Sequence, residues 1–401
     1  MDTPTPPLEG IRVLDIATFV AAPFAAAALG EFGAEVIKIE QPGVGDSLRR
    51  LGTYSEAGDT YWWLSDARNK ICVTLDFHKA RGVELFKALV AISDVVIENF
   101  RPGTLEKWGI GYEDLKAVNE GLVMLRVSGY GQTGPKREEP GFARVAHAFS
   151  GLTYLVGTAD TPPLAPGSNT LADFLAGTYG AYGILLALRA RDKTGRGQVV
   201  DIGLYEPMFR FLDEMAPVYD KTGYVKERVG TGGAHAVPHN HYPTGDGKWV
   251  AIACTNDKMF ARFAEVMGRP ELAAEDAFGP QDKRLENAEE VEALVNGWTM
   301  SLSQAEVLEK CTAGQVPAGP INSIADIFAD AQFAARENLL KVEDERVGPL
   351  TVPNVVPRLS ATPGKVRHLG RALGADTAEV YGELLGIDEA ELEALKKEGV
   401  V

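Results

Sequence analysis

Asp173 stands in the first turn of an alanine- and glycine-rich stretch, Leu171–Arg189, with Asn169 and Thr170 before it as candidate N-caps. A carboxylate there feels the positive end of the helix dipole, which favours its ionised form. An ionised, positioned carboxylate can act as a nucleophile. Asp in a first turn is also a common capping or dipole residue, so the segment alone leaves both roles open. Other chemistry-bearing patterns fail on inspection. The spacing His235-x3-His239-x-His241 would suit a metal, but no nearby Cys completes a set and Pro238 interrupts it. No metal is expected, and the segment reads as a loop whose histidines meet substrate or solvent. In Ser128-Gly-Tyr-Gly-Gln-Thr-Gly-Pro135 a proline stands where a phosphate loop needs its lysine, and Gly230-x-Gly232 continues to His235 where a dinucleotide fingerprint needs glycine. Cys72, Cys254 and Cys311 are odd in number and far apart, so they read as buried thiols of a reducing, cytoplasmic compartment.

The elements that must position Asp173 alternate along the chain. Strand patterns at Ile11–Ile16, Glu35–Glu40, Ile71–Leu75, Val95–Asn99, Gly121–Val127 and Gln198–Leu204 are separated by helical stretches, among them Ala21–Phe32 and Ala80–Ala91. Strands joined by helices predict a mostly parallel, Rossmann-like α/β sheet, whose ligands sit outside the carboxyl ends of the strands. Ala176, Gly180 and Ala187 recur at helical spacing, which suits close backbone approach. The texture changes after Tyr219, so the chain divides into a large domain over 1–220 plus 326–401 and a smaller α+β domain over 225–325.

With 56 acidic and 40 basic residues the net charge is −16, which argues against nucleic acid as a partner. No run of 18 apolar residues is present, so no membrane span is expected. An anionic ligand would need local cations. Lys38, Arg49, Arg50, Arg68, Lys70, Arg101, Lys107, Lys136, Arg137 and Arg144 recur beside glycines and turn residues in the first 150 positions.

A set of motifs then runs in one order: Leu14-Asp-Ile-Ala-Thr-Phe-Val-Ala-Ala-Pro23, Gly45-Asp-Ser-Leu-Arg49, Arg68-Asn-Lys70, Glu98-Asn-Phe-Arg-Pro-Gly103, Ser128–Pro135 and the Asp173 helix. Together they resemble the class III CoA-transferases over residues 8–340. The resemblance implies that fold, an interlocked homodimer, coenzyme A as substrate with no tightly bound cofactor, and acyl-CoA and carboxylic acids as partners. It makes Asp173 the catalytic aspartate and places CoA at Val20, Ala21, Ala22, Lys70, Asn99, Phe100 and Lys107, with Arg101, Arg68 and Lys136 as further cations. Gln41 replaces a basic residue of formyl-CoA transferases. Gly230-Thr-Gly-Gly233 represents the family's glycine loop, with Gly232 and Gly233 N–H groups as oxyanion donors. Gly141-Phe-Ala143 lacks the Gly-His-Asp element of acyl-CoA racemases, the other activity weighed. The segment Pro140–Gly151 is similar to the subgroup handling C4 and C5 dicarboxylates: malate, citramalate, itaconate or mesaconate with succinyl-CoA. Arg144, with His147, His235 or His239, is the expected anchor for the second carboxylate. Intramolecular transfer of CoA within one dicarboxylate stays open.

Overall fold

Six short aliphatic segments form the strands β1 (Arg12–Asp15), β2 (Glu35–Glu40), β3 (Lys70–Thr74), β4 (Val95–Glu98), β5 (Val123–Ser128) and β6 (Val199–Gly203). In the computed structural model, which describes residues 5–167, 169–233 and 235–401, they pair in the order β3-β2-β1-β4-β5-β6. Every pairing is parallel. Successive strand residues point to opposite faces, and the two sides of the sheet divide the core accordingly. Val13, Val36, Val95 and Val123 pack on one side with the helices Ala21–Glu31 and Leu171–Thr194. Leu14, Ile37, Val96 and Met124 pack on the other with Phe86, Leu89, Tyr381, Leu392 and Leu395. Burial of both faces is what lets the strands read as near-continuous aliphatic runs.

The Leu171–Thr194 helix ends at Gly195, whose φ of +72° is the left-handed turn glycine favours at a helix C-terminus. Its small residues do what their spacing implied. A Cβ on Gly177 would lie 2.4 Å from the Ala21 carbonyl oxygen, and one on Gly180 would lie 2.7 Å from Leu125 Cδ2. The helix therefore reaches the Ala21–Glu31 helix and the sheet only because these positions lack side chains. It is also the one helix among the described residues long and apolar enough to cross a membrane by length and composition. Its Ala172, Ala176, Gly177, Gly180 and Ile184 positions are buried against the sheet layer.

Contacts gather the residues up to Leu152 with Ala165–Pro217 and Phe333–Val401 into this first unit, and Thr153–Leu164 with Val218–Gln332 into a second. The Thr153–Leu164 segment was expected in the large domain. It belongs instead to the second unit, where Gly230 N–H donates to Gly157 O at 2.8 Å and Arg228 to Tyr154 O at 2.9 Å. That unit holds an antiparallel sheet of β7 (His239–Pro243), β8 (Trp249–Ala253) and β9 (Ala318–Pro320). Its core combines Tyr242, Val250, Ile252, Phe263, Val295 and Val307.

Candidate active site

The strand order reverses between β1 and β4, and the crevice at that point is where an open parallel sheet takes its ligands. A cavity of about 490 Å³ lies there. The turn after β1 contributes Thr18, Phe19, Val20 and Ala21, and the turn after β4 contributes Asn99, Phe100 and Arg101. Ser128, Arg137, Glu139, Arg144, Thr170 and Asp173 are among the other residues that line it. The two turns are tied together: Thr18 N–H donates to Asn99 Oδ1 at 2.8 Å and Asn99 Nδ2 donates to Thr18 O at 2.6 Å. Phe19 adopts a left-handed φ of +64°, costly for a side chain of this size. Its N–H is held by Asp46 Oδ1 at 2.9 Å, and Asp46 is paired at 2.8 Å with the fully buried Lys38.

Asp173 opens into this cavity from the first turn of its helix, half-buried. Burial pushes its carboxyl up to about 7. Desolvation thus outweighs the dipole that was expected to keep it readily ionised. A carboxylate of raised basicity that ionises near neutral pH is suited to attack on a carbonyl. Arg144, exposed and carried by the Ala143–Phe149 helix, lines the same cavity. The structure therefore brings together Asp173, Arg144, Val20, Ala21, Asn99, Phe100 and Arg101.

A second cavity of about 250 Å³ shares Thr18 and Phe100 with the first and lies at the carboxyl ends of β1, β2 and β3. Gln41 lines it beside Lys38, Phe77, His78 and Trp108. His78 Nδ1 meets Asp76 Oδ1 at 2.8 Å, and its ring stands edge-on to Trp108 with centroids 5.2 Å apart. Sequence reasoning missed His78 and Trp108. The signal was present: Asp76-Phe77-His78 directly follows a strand at its ligand-facing end.

Several expected contacts are corrected. Lys70 is buried, with Nζ donating to Asp15 Oδ2 at 2.9 Å and Pro23 O at 2.7 Å. Arg68 is likewise buried against Glu31 at 2.6 Å. Neither lines the cavities, so both cations act in the fold. Ala22 is fully enclosed in the core. His147 is buried too, and its Nε2 accepts the Ala172 N–H at 3.0 Å rather than facing a substrate. Gly233 N–H donates to His239 O at 2.9 Å, so it is not free as an oxyanion donor. Gly232 remains in that loop of the second unit, its Cα facing the Asn240 amide. His235 is exposed there, and His239 sits half-buried in β7. Lys107 is exposed on the Thr104–Lys107 turn of helix. Lys136, half-buried, pairs with Glu139 at 2.9 Å, while its neighbour Arg137 lines the cavity.

Residues 8–377 match the family described as CoA-transferase family III. The chain is 53% identical over 396 residues to a succinyl-CoA–L-malate CoA-transferase alpha subunit of Chloroflexus aurantiacus, covering 98% of this chain and 92% of that one. It is 43% identical to a succinyl-CoA–D-citramalate CoA-transferase of the same species, covering 99% of each. Among solved structures, a CAIB/BAIF family protein from Brucella suis superposes with a TM-score of 0.84 at 33% identity, over 95% of this chain and all of that one.

Proposed function

The chain belongs to CoA-transferase family III and is a CoA-transferase, and from that premise we propose that it moves CoA from succinyl-CoA to a C4 or C5 dicarboxylate such as malate or citramalate through Asp173. The observation that carries this reading is the shared cavity at the switch point, where a carboxylate ionising near neutral pH and the exposed guanidinium of Arg144 face one space. Relatives named for malate and citramalate support the acid class.

The chemistry follows from these groups. The ionised Asp173 carboxylate attacks the donor thioester carbonyl, and the carbon–sulfur bond breaks to give a mixed anhydride and CoA thiolate. The thiolate attacks the aspartyl carbonyl and expels the donor acid, leaving an aspartyl-CoA thioester. The acceptor carboxylate then reverses the sequence. Arg144 holds the second carboxylate, and a charge-assisted contact of this kind contributes roughly 1.5–3 kcal/mol. CoA lies along the two joined cavities. Its apolar parts meet Val20, Phe100 and Trp108, and its phosphates meet Arg101, Lys107, Arg137 or Lys136. Gln41 and His78 supply polar contacts.

The protein acts in the cytoplasm as an interlocked homodimer. Tyr182, Leu185, Leu186, Phe209 and Phe211 are exposed on the first unit, and an apolar surface of that kind suits a partner chain. The test of the reaction is exchange of labelled succinate or malate into the CoA ester pool. Asp173→Ala should abolish exchange while CoA affinity holds. Activity above a few per cent of wild type in that variant removes Asp173 as the nucleophile. Light scattering of an active, stable monomer would remove the dimer.

A further inference from the structure

The first turn of the Leu171–Thr194 helix carries Asp173, yet it lacks a cap from its own chain neighbour. Thr170 occupies the N-cap position, its side chain makes no cap hydrogen bond, and its Oγ1 is buried without a partner. The opening N–H groups of a helix have no intrahelical acceptor and need one from elsewhere. Here it comes from another helix: His147 Nε2 accepts the Ala172 N–H at 3.0 Å, one residue before Asp173. A backbone N–H can only donate, so Nε2 presents its lone pair and any ring proton sits on Nδ1. Burial, then the nearby Arg144 charge, holds the His147 imidazolium below its ordinary range, which keeps that lone pair available.

His147 also sits on the same short helix as Arg144, three residues on. Residues at that spacing share a helix face. Arg144 reaches the cavity and His147 ties the same helix to the turn that bears Asp173. Ser150 Oγ donates to His147 O at 3.0 Å and closes this helix behind the imidazole. The imidazole therefore fixes the spacing between the reacting carboxylate and the guanidinium that faces it.

We propose that His147 is a positioning residue for CoA transfer: as a neutral imidazole it caps the Asp173 helix from the Arg144 helix, and so sets the distance between nucleophile and acid anchor. The proposal rests on the reading of Asp173 as nucleophile. A displacement of about 1 Å at a reacting group can reduce turnover by roughly 10²-fold, so the effect belongs in kcat and in the KM of the acceptor acid.

The test compares His147→Leu, His147→Gln and Asp173→Asn with wild type, using succinyl-CoA and malate. His147→Leu should lower kcat by about 10²-fold and raise the malate KM, with the succinyl-CoA KM within about twofold of wild type. His147→Gln keeps an acceptor oxygen and should recover most of the loss, and it alone decides the matter if the leucine variant does not fold. Thermal unfolding of each variant separates lost capping from lost fold. A His147→Leu enzyme turning over at the wild-type rate beside an inactive Asp173→Asn overturns the positioning role and leaves the nucleophile standing. So does a glutamine variant that folds like wild type but recovers nothing. An active Asp173→Asn overturns the nucleophile reading itself, and the positioning role with it.

Discussion

Two sets of cations on the first unit look alike as letters and behave differently as structure. Lys38, Lys70 and Arg68 lie inside, each within 4 Å of a carboxylate that is itself buried. Arg101 and Arg137 on turns, and Arg144 on the Ala143–Phe149 helix, stand around the cavity. A buried, paired cation cannot be withdrawn to meet a phosphate without leaving a buried carboxylate short of a partner, which is costly. A cation at a strand-end turn keeps its hydration until an anion arrives. The first set holds the sheet and its turns. The second set is available for ligand.

The sharpest way to break that contrast is to remove one member of each set. Lys70→Met should destabilise the protein by about 3–5 kcal/mol, because Asp15 loses its closest partner in the core. Denaturant unfolding reads this directly. Arg101→Ala should leave unfolding within about 0.5 kcal/mol of wild type and weaken CoA-ester binding instead. If the Lys70 variant unfolds like wild type and loses only CoA affinity, the division between the sets is wrong.

Arg144→Ala should raise the KM for dicarboxylates about ten- to a hundredfold, the loss of a charge-assisted contact, and spare a slowly accepted monocarboxylate. Lys136→Ala, where the removed charge is already paired with Glu139, should affect every acyl-CoA alike and weakly. An Arg144→Ala enzyme that treats both acid classes equally places the second carboxylate elsewhere. Gly177→Ala should cost about 1–3 kcal/mol, since its Cβ would meet the Ala21 carbonyl. The displaced helix start should lower turnover as well.

These contrasts also mark what could be read from the letters. The β2 strand falls where its alternation placed it, at Glu35–Glu40, and the small residues of the Asp173 helix pack as their spacing implied. Asp173 does lie in the first turn of its helix, as its place in the sequence implied. The misreadings share one cause. Lys70 and Arg68 lie at the start of β3, whereas the ligand-facing turn follows its end, at Asp76-Phe77-His78. Sequence shows that a cation stands near a strand but not which carboxylate it meets across the sheet. The partner of His147 is likewise on a different helix, 25 positions away. The Gly233 N–H is lost to His239 by a local fold-back that composition does not reveal.

A smaller effect follows from the raised carboxyl of Asp173. The ionised form must attack, so kcat/KM of the free enzyme should rise with pH through about 7 and then level. Stability should move the other way. Between the ordinary carboxylate range and about 7 the unfolded chain has lost this proton and the folded chain retains it, so folding weakens as pH rises across that window. Asp173→Asn removes the penalty and should raise Tm more at pH 8 than at pH 5. An equal gain at both pH values would mean that the carboxyl is not raised by burial.

The central claim is that Asp173 becomes covalently acylated and then carries CoA. It is tested most directly by incubating the enzyme with succinyl-CoA, quenching with hydroxylamine or borohydride, and mapping the modified peptide by mass spectrometry. The account predicts modification at Asp173 that appears only when the acyl-CoA is present. Modification at another carboxylate, or none in an enzyme that is turning over, would contradict it.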